Sequence, residues 1–178
     1  MNASQCADWS RKIFDRLVES GITLFCYVPD AGNKEIIQCA EESAVASPVL
    51  LTSEEEGVAI CAGADLVGKR AVVLMQSSGV GNCPNFLSLV SGAKFPLLMI
   101  VTMRGEYGEQ NPWQYPMGQA VQVILETMIV KCLRVETEAD IEIALEAAIG
   151  GVHKGGQSIA LILSQRFLGA KIFGDGVN

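Results

Sequence analysis

Apolar residues at Trp9, Ile13, Phe14 and Leu17 recur at helical spacing and stop before Gly21, so the first predicted element is a helix. An apolar run over residues 24–28 ends at Pro29-Asp30 and reads as a strand; a helix-like stretch over 34–42 and a strand over 49–51 follow. Ser53, with Glu56 three residues on, has the form of a capping box, and an alanine-rich run then continues to Val67 before Gly68. Residues 71–75 form a continuous apolar strand, 76–82 a turn of glycine and serine, 84–90 a helix opened by Pro84, and 96–102 another strand. Residues 103–117 lack periodicity and carry two glycines, two prolines, Trp113 and two tyrosines, which is long for a simple connection. A helix over 119–128, a strand over 131–135, a helix over 138–153 and a strand over 158–163 complete the chain. Strands apolar on both faces, alternating with helices, predict a single three-layer, doubly wound α/β domain with a mostly parallel six-stranded sheet.

Composition narrows the picture. The 178 residues, 49% of them hydrophobic, suffice for one well-buried core. A net charge of −7 without a basic patch argues against nucleic acid or an anionic membrane as partner. No apolar run reaches the roughly 18 residues of a membrane span, and the amino terminus lacks a basic-then-apolar signal, so a cytoplasmic protein is expected. The six cysteines (Cys6, Cys26, Cys39, Cys61, Cys83, Cys132) are scattered without a C-x-x-C pair and read as small buried hydrophobes in a reducing compartment. His153, the only histidine, sits near a helix end beside glycines and is expected at the surface.

In open parallel sheets ligands bind beyond the carboxyl ends of the strands. Four turns there carry unusual residues: Pro29-Asp30, residues 53–56, residues 76–82 and residues 103–117. The glycine turn is not a phosphate cradle of a known kind, because Gly79-x-Gly81-x-x-Pro84 lacks both the third glycine of a dinucleotide site and the lysine of a P-loop.

Taken together, Ser-Glu-Glu-Glu-Gly-Val-Ala-Ile-Cys-Ala-Gly-Ala-Asp from Ser53 and Met-Gln-Ser-Ser-Gly-Val-Gly-Asn from Met75 resemble the pyrimidine-binding domain of the sulfopyruvate and phosphonopyruvate decarboxylases. Val-Pro-Asp after the first strand, and Arg-Gly-Glu with a later Pro-Met-Gly, extend the resemblance over nearly the whole chain. It implies the thiamine-diphosphate-binding fold over residues 1–168, with 169–178 as a tail. It further implies one acid that bonds N1′ of the cofactor's aminopyrimidine. The family's spacing from the Ala62-Gly63-Ala64 turn selects Glu55 as that catalytic, cofactor-binding acid, with Glu56 the next candidate. The residues alone allow a plainer reading, in which the triplet caps a helix. A helix amino terminus favours the carboxylate and burial the neutral acid, and a group balanced between the two can exchange a proton near neutral pH. By the same resemblance Gln76, Ser77, Ser78, Gly79 and Asn82 lie against the cofactor, and Asp30 lies near the substrate, although Asp30 could equally hold its own turn. Arg104 is the local candidate for a bidentate pair with an anionic substrate group.

A complete enzyme of this family also needs a domain that holds diphosphate through Mg²⁺. Gly174-Asp175-Gly176 resembles part of such a site, but only two residues follow it, and it reads as a coincidental tail. No metal ligand is therefore assigned to this chain. The resemblance implies a separate beta subunit bearing the Mg²⁺ and diphosphate ligands, an α2β2 or higher heteromer, and a small anionic 2-oxo acid as substrate. The leading expectation is decarboxylation of sulfopyruvate to sulfoacetaldehyde. Phosphonopyruvate, another 2-oxo acid, a non-catalytic binding subunit and a flavodoxin-like nucleotide domain are the alternatives.

Overall fold

A computed structural model describes residues 8–170; Cys6, the Gly174-Asp175-Gly176 tripeptide and tail residues 171–178 lie outside the described residues. Helix α1 (Asp8–Glu19) buries Ile13, Phe14 and Leu17, the predicted stripe, and Gly21 at φ +86° turns the chain into β1 (Ile22–Tyr27). α2 (Lys34–Glu42), β2 (Ser47–Leu50), α3 (Glu54–Leu66) and β3 (Arg70–Gln76) follow. The turn after β3 winds into one short helix, α4 (Ser77–Val80), before α5 (Pro84–Ala93) and β4 (Leu97–Thr102). β2 accepts Pro48 because it is an edge strand, paired on one side only.

The long loop is shorter than its lack of periodicity suggests. A 3-10 turn (Pro112–Gln114) leads straight into α6 (Tyr115–Thr127), four residues before the expected start at Gln119. Pro116 in the first turn explains this, since a missing N–H and a fixed φ suit a helix start. β5 (Lys131–Val135), α7 (Asp140–His153), β6 (Ser158–Leu163) and α8 (Gln165–Leu168) complete the described chain.

The six strands pair in the order β2-β1-β3-β4-β6-β5, every pair parallel. The sheet is thus wholly rather than mostly parallel. Two cores follow from its two faces: Phe14, Phe25, Ile36, Leu74 and Leu145 pack under α1, α2 and α7. Val58, Met75, Leu87, Met99 and Leu125 pack under α3, α5 and α6. Each fully buried aliphatic side chain contributes about 1.5–3 kcal/mol. β4 and β6 are buried at every position, which requires helices on both faces.

Cys26, Cys39, Cys61 and Cys83 are buried and unoxidised, and Cys132 is half-buried. His153 departs from expectation: it is half-buried, its Nε2 has no hydrogen-bond partner, and burial lowers its pKa. No helix among the described residues is long and apolar enough to cross a membrane.

Candidate active site

Winding of the chain brings the turns after β1, β3, β4 and β6, together with the start of α3, to the carboxyl edge of the sheet. The three glutamates at the start of α3 have three separate environments. Glu56 is exposed and its carboxylate accepts the Thr52 N–H at 2.8 Å, one residue before the N-cap, while the Ser53 side chain makes no capping bond, so the reciprocal capping box that the Ser53–Glu56 spacing suggested does not form. Glu55 is partly exposed, and the Ser53 hydroxyl donates to its carboxylate. That bond, followed by its own backbone N–H, holds its pKa below the ordinary value. The burial that would oppose this is not supplied by the chain itself, so only half of the expected balance is present.

Glu54 is the buried acid, which sequence reasoning missed. It accepts from Asn82 Nδ2 at 2.7 Å. A Cβ on Gly79 would meet its Oε1 at 2.4 Å, so a side chain at position 79 would displace the Glu54 carboxylate. A signal did exist: Glu54 is in helical phase with the buried Gly57, Val58, Cys61 and Ala64.

The glycine turn divides into inward and outward residues. Ser77 is buried, accepts the Arg104 N–H at 3.0 Å and donates to the Arg104 carbonyl at 3.4 Å. Its hydroxyl therefore locks two turns together. Gly79 serves by what it lacks. Gln76 and Ser78 are joined by a 3.1 Å hydrogen bond; Ser78 and Asn82 are exposed, while Gln76 lines a cleft of about 350 Å³ with Gly32, Glu35, Thr102 and Arg104.

Asp30 organises its own turn. One carboxylate oxygen accepts from the Gly32 and Asn33 N–H groups and the Thr102 hydroxyl at 2.7–3.0 Å, and the other from Asn33 Nδ2 at 2.8 Å. Of the two readings, holding the turn fits this geometry. Arg104 borders the cleft, but its Nε and Nη2 form a bidentate pair with the buried Glu109, both at 2.6 Å. The fork expected to grip a substrate anion is thereby engaged.

Glu109 and Gln165 were also missed, and the sequence carried no signal for either. Glu109 additionally accepts from the N–H groups of Gly105 and Asn111 and from Gln165 Nε2. Arg104 foremost holds its pKa far below the ordinary carboxylate range. Gln165 Oε1 accepts the N–H groups of Glu106 and Tyr107, which fixes the loop against the end of β6. Among the described residues no cluster of three His, Cys, Asp or Glu could hold a metal ion.

An alpha subunit of sulfopyruvate decarboxylase from Methanocaldococcus jannaschii is 34% identical over 86% of this chain and 91% of its own length. The chain belongs to the sulfopyruvate decarboxylase alpha-subunit family. A longer sulfopyruvate decarboxylase from Methanosarcina acetivorans is 36% identical over 65% of the chain, a region that makes up 30% of that protein. The fold recurs in a 2-oxoglutarate:ferredoxin oxidoreductase from Magnetococcus marinus, with a TM-score of 0.70 and 15% identity; 90% of this chain and 29% of that one superpose. No family model matches the chain.

Proposed function

We propose that this chain is the alpha subunit of a thiamine-diphosphate-dependent decarboxylase. It would convert sulfopyruvate and a proton to sulfoacetaldehyde and carbon dioxide, with Mg²⁺ and diphosphate held by a separate beta chain. The observation that carries this reading is Glu55, a carboxylate in the first turn of α3. It lies at the surface beside an outward-facing polar turn, in a chain whose family has this activity in its name. The longer Methanosarcina relative supports the split, since most of that protein has no counterpart in this chain.

The residues present fit an aminopyrimidine. Glu55 supplies one acid, Asn82 and Ser78 supply exposed polar groups on the glycine turn, and Gly79 and Gly81 add no side chain to it. When bound, thiamine diphosphate supplies the electron sink that makes decarboxylation of a 2-oxo acid feasible. Glu55 would bond the ring nitrogen N1′ and hold or release a proton there. The Ser53 hydroxyl and the helix amino terminus keep Glu55 ionised while it is exposed. Covering it with the beta chain adds the desolvation that raises its pKa towards neutrality, which makes the alpha chain inert by itself. With the Arg104 fork engaged by Glu109, the sulfonate takes its countercharge from the beta chain.

The test is turnover of sulfopyruvate, with phosphonopyruvate and pyruvate as controls, by this chain co-expressed with its neighbouring reading frame. Activity that needs both chains, Mg²⁺ and Glu55 supports the reading. Preferential turnover of phosphonopyruvate would transfer the assignment to that substrate. Cofactor binding without turnover of any 2-oxo acid would favour a non-catalytic subunit.

A further inference from the structure

We propose that Glu54 is a positioning residue that fixes which edge of the Asn82 amide meets the cofactor. The inference rests on the function proposed above and names a residue beyond Glu55. Glu54 is buried in the first turn of α3, immediately before the proposed catalytic acid, and its carboxylate accepts from Asn82 Nδ2 at 2.7 Å. A carboxylate can only accept, so the amide of Asn82 must turn its NH₂ inward. Asn82 is itself exposed, which leaves its carbonyl oxygen as the edge offered on the open side. A hydrogen-bond acceptor presented there suits a ligand N–H donor, and an aminopyrimidine carries one in its exocyclic amino group.

Two further features hold this arrangement. Gly79 packs so closely on Glu54 that a Cβ would lie 2.4–2.5 Å from its Oε1, Cδ and Cγ, so the place the carboxylate occupies depends on a glycine there. The N–H of Asn82 bonds the Gly79 carbonyl at 3.0 Å, so the backbone carrying the amide is tied to the glycine that makes room for the acid. α3 and the glycine turn therefore share one buried contact. Glu55 and Asn82, on either side of it, keep a fixed relation.

The experiment measures equilibrium binding of thiamine diphosphate with Mg²⁺ to the assembled complex, alongside turnover and thermal unfolding. Asn82→Asp sets two carboxylates against each other and is expected to weaken cofactor binding by about tenfold or more, the effect of losing one charge-assisted hydrogen bond. In the exchanged pair Glu54→Gln with Asn82→Asp, the donor lies on residue 54 and an acceptor again faces outward. Binding is expected to return to within about threefold of the parent protein. Glu54→Gln alone lets the Asn82 amide sit either way round, and should raise the half-saturating cofactor several-fold while the rate at saturation is kept. Its near-isosteric side chain preserves the fold if Asn82→Asp does not. Restored thermal stability without restored binding in the exchanged pair would overturn the proposal by reducing Glu54 to a packing role. So would wild-type binding by Glu54→Gln. Failure of the parent complex to bind thiamine diphosphate at all would instead overturn the function on which the proposal rests.

Discussion

The two edges of the sheet are built by different means. At the carboxyl edge, side chains from distant segments hold the backbone: Asp30 ties residues 32, 33 and 102, Ser77 ties Arg104, and Gln165 ties Glu106 and Tyr107. Positive φ in the loop after β4 falls on Gly105 and Gly108, where it costs little. At the amino edge, the connections into β4 and β5 turn on Lys94 at φ +55° and Ile129 at φ +65°, both of which carry a Cβ. They border a shallow cleft with Phe95 and Lys131, across which Ser158 Oγ donates to the Phe95 carbonyl. Order is thus specified by cross-linked side chains where the candidate chemistry lies. At the other edge the ties are fewer, Arg70 to the Ser20 carbonyl and Ser158 to the Phe95 carbonyl among them, and some strain is left unrelieved.

The comparison breaks most visibly at Glu55. Glu55→Gln should lower turnover by about 10²–10⁴-fold, the usual worth of a proton-transferring group, with little change in unfolding temperature. The carboxyl edge breaks structurally at Glu109. Glu109→Ala leaves Arg104 without its bidentate partner and should cost about 3–5 kcal/mol, measured by urea unfolding. Because the Glu109 pKa is depressed in the folded chain, its stabilisation is fully present above the unfolded carboxylate pKa of about 4.3 and is lost as pH falls below it. Glu109→Gln should therefore flatten the acid limb of the stability profile below about pH 4.3 and leave its neutral limb parallel to that of the parent protein. Next in size is Gly105→Ala. At φ +77°, its Cβ would lie 2.0 Å from the Gln114 carbonyl oxygen, so a loss of about 2–3 kcal/mol is expected from the clash together with the left-handed backbone.

What was legible in the sequence follows the same division. The apolar runs of β3, β4 and β6 and the 3.6-residue stripe of α1 declared themselves because burial on a sheet or helix face is a local, periodic constraint. The loop after β4 did not. Its order comes from Glu109 meeting Gln165, 56 residues away, and no local pattern announces a contact at that separation. The glutamate triplet lies between these cases: it was legible as a helix start, but the different environments of its three members were not. The spacing of Glu56 from Ser53 announced a helix start but not the bond Glu56 makes, which goes to Thr52; the burial of Glu54 was written in its phase with Val58 and Cys61, whereas the exposure of Glu55 depends on what else covers the edge.

The smallest expected effect tests the amino edge. Ile129 is 65% exposed and follows α6 in the left-handed region, where a β-branched residue costs about 1–2 kcal/mol. Replacing it with glycine removes that cost, loses little buried apolar surface, and gives back about 0.5–1 kcal/mol in the backbone entropy of the unfolded chain. Ile129→Gly should therefore stabilise the protein by about 0.5–1 kcal/mol, a rise of roughly 1–4 °C in the unfolding midpoint at this size. Turnover should not change, because residue 129 precedes β5 at the edge opposite Glu55. A gain in the isolated chain that becomes a loss in the assembled complex would mean that the Ile129 side chain is buried between subunits. The left-handed turn would then be a device for presenting it, and the contrast between a specified edge and a merely closed one would fail.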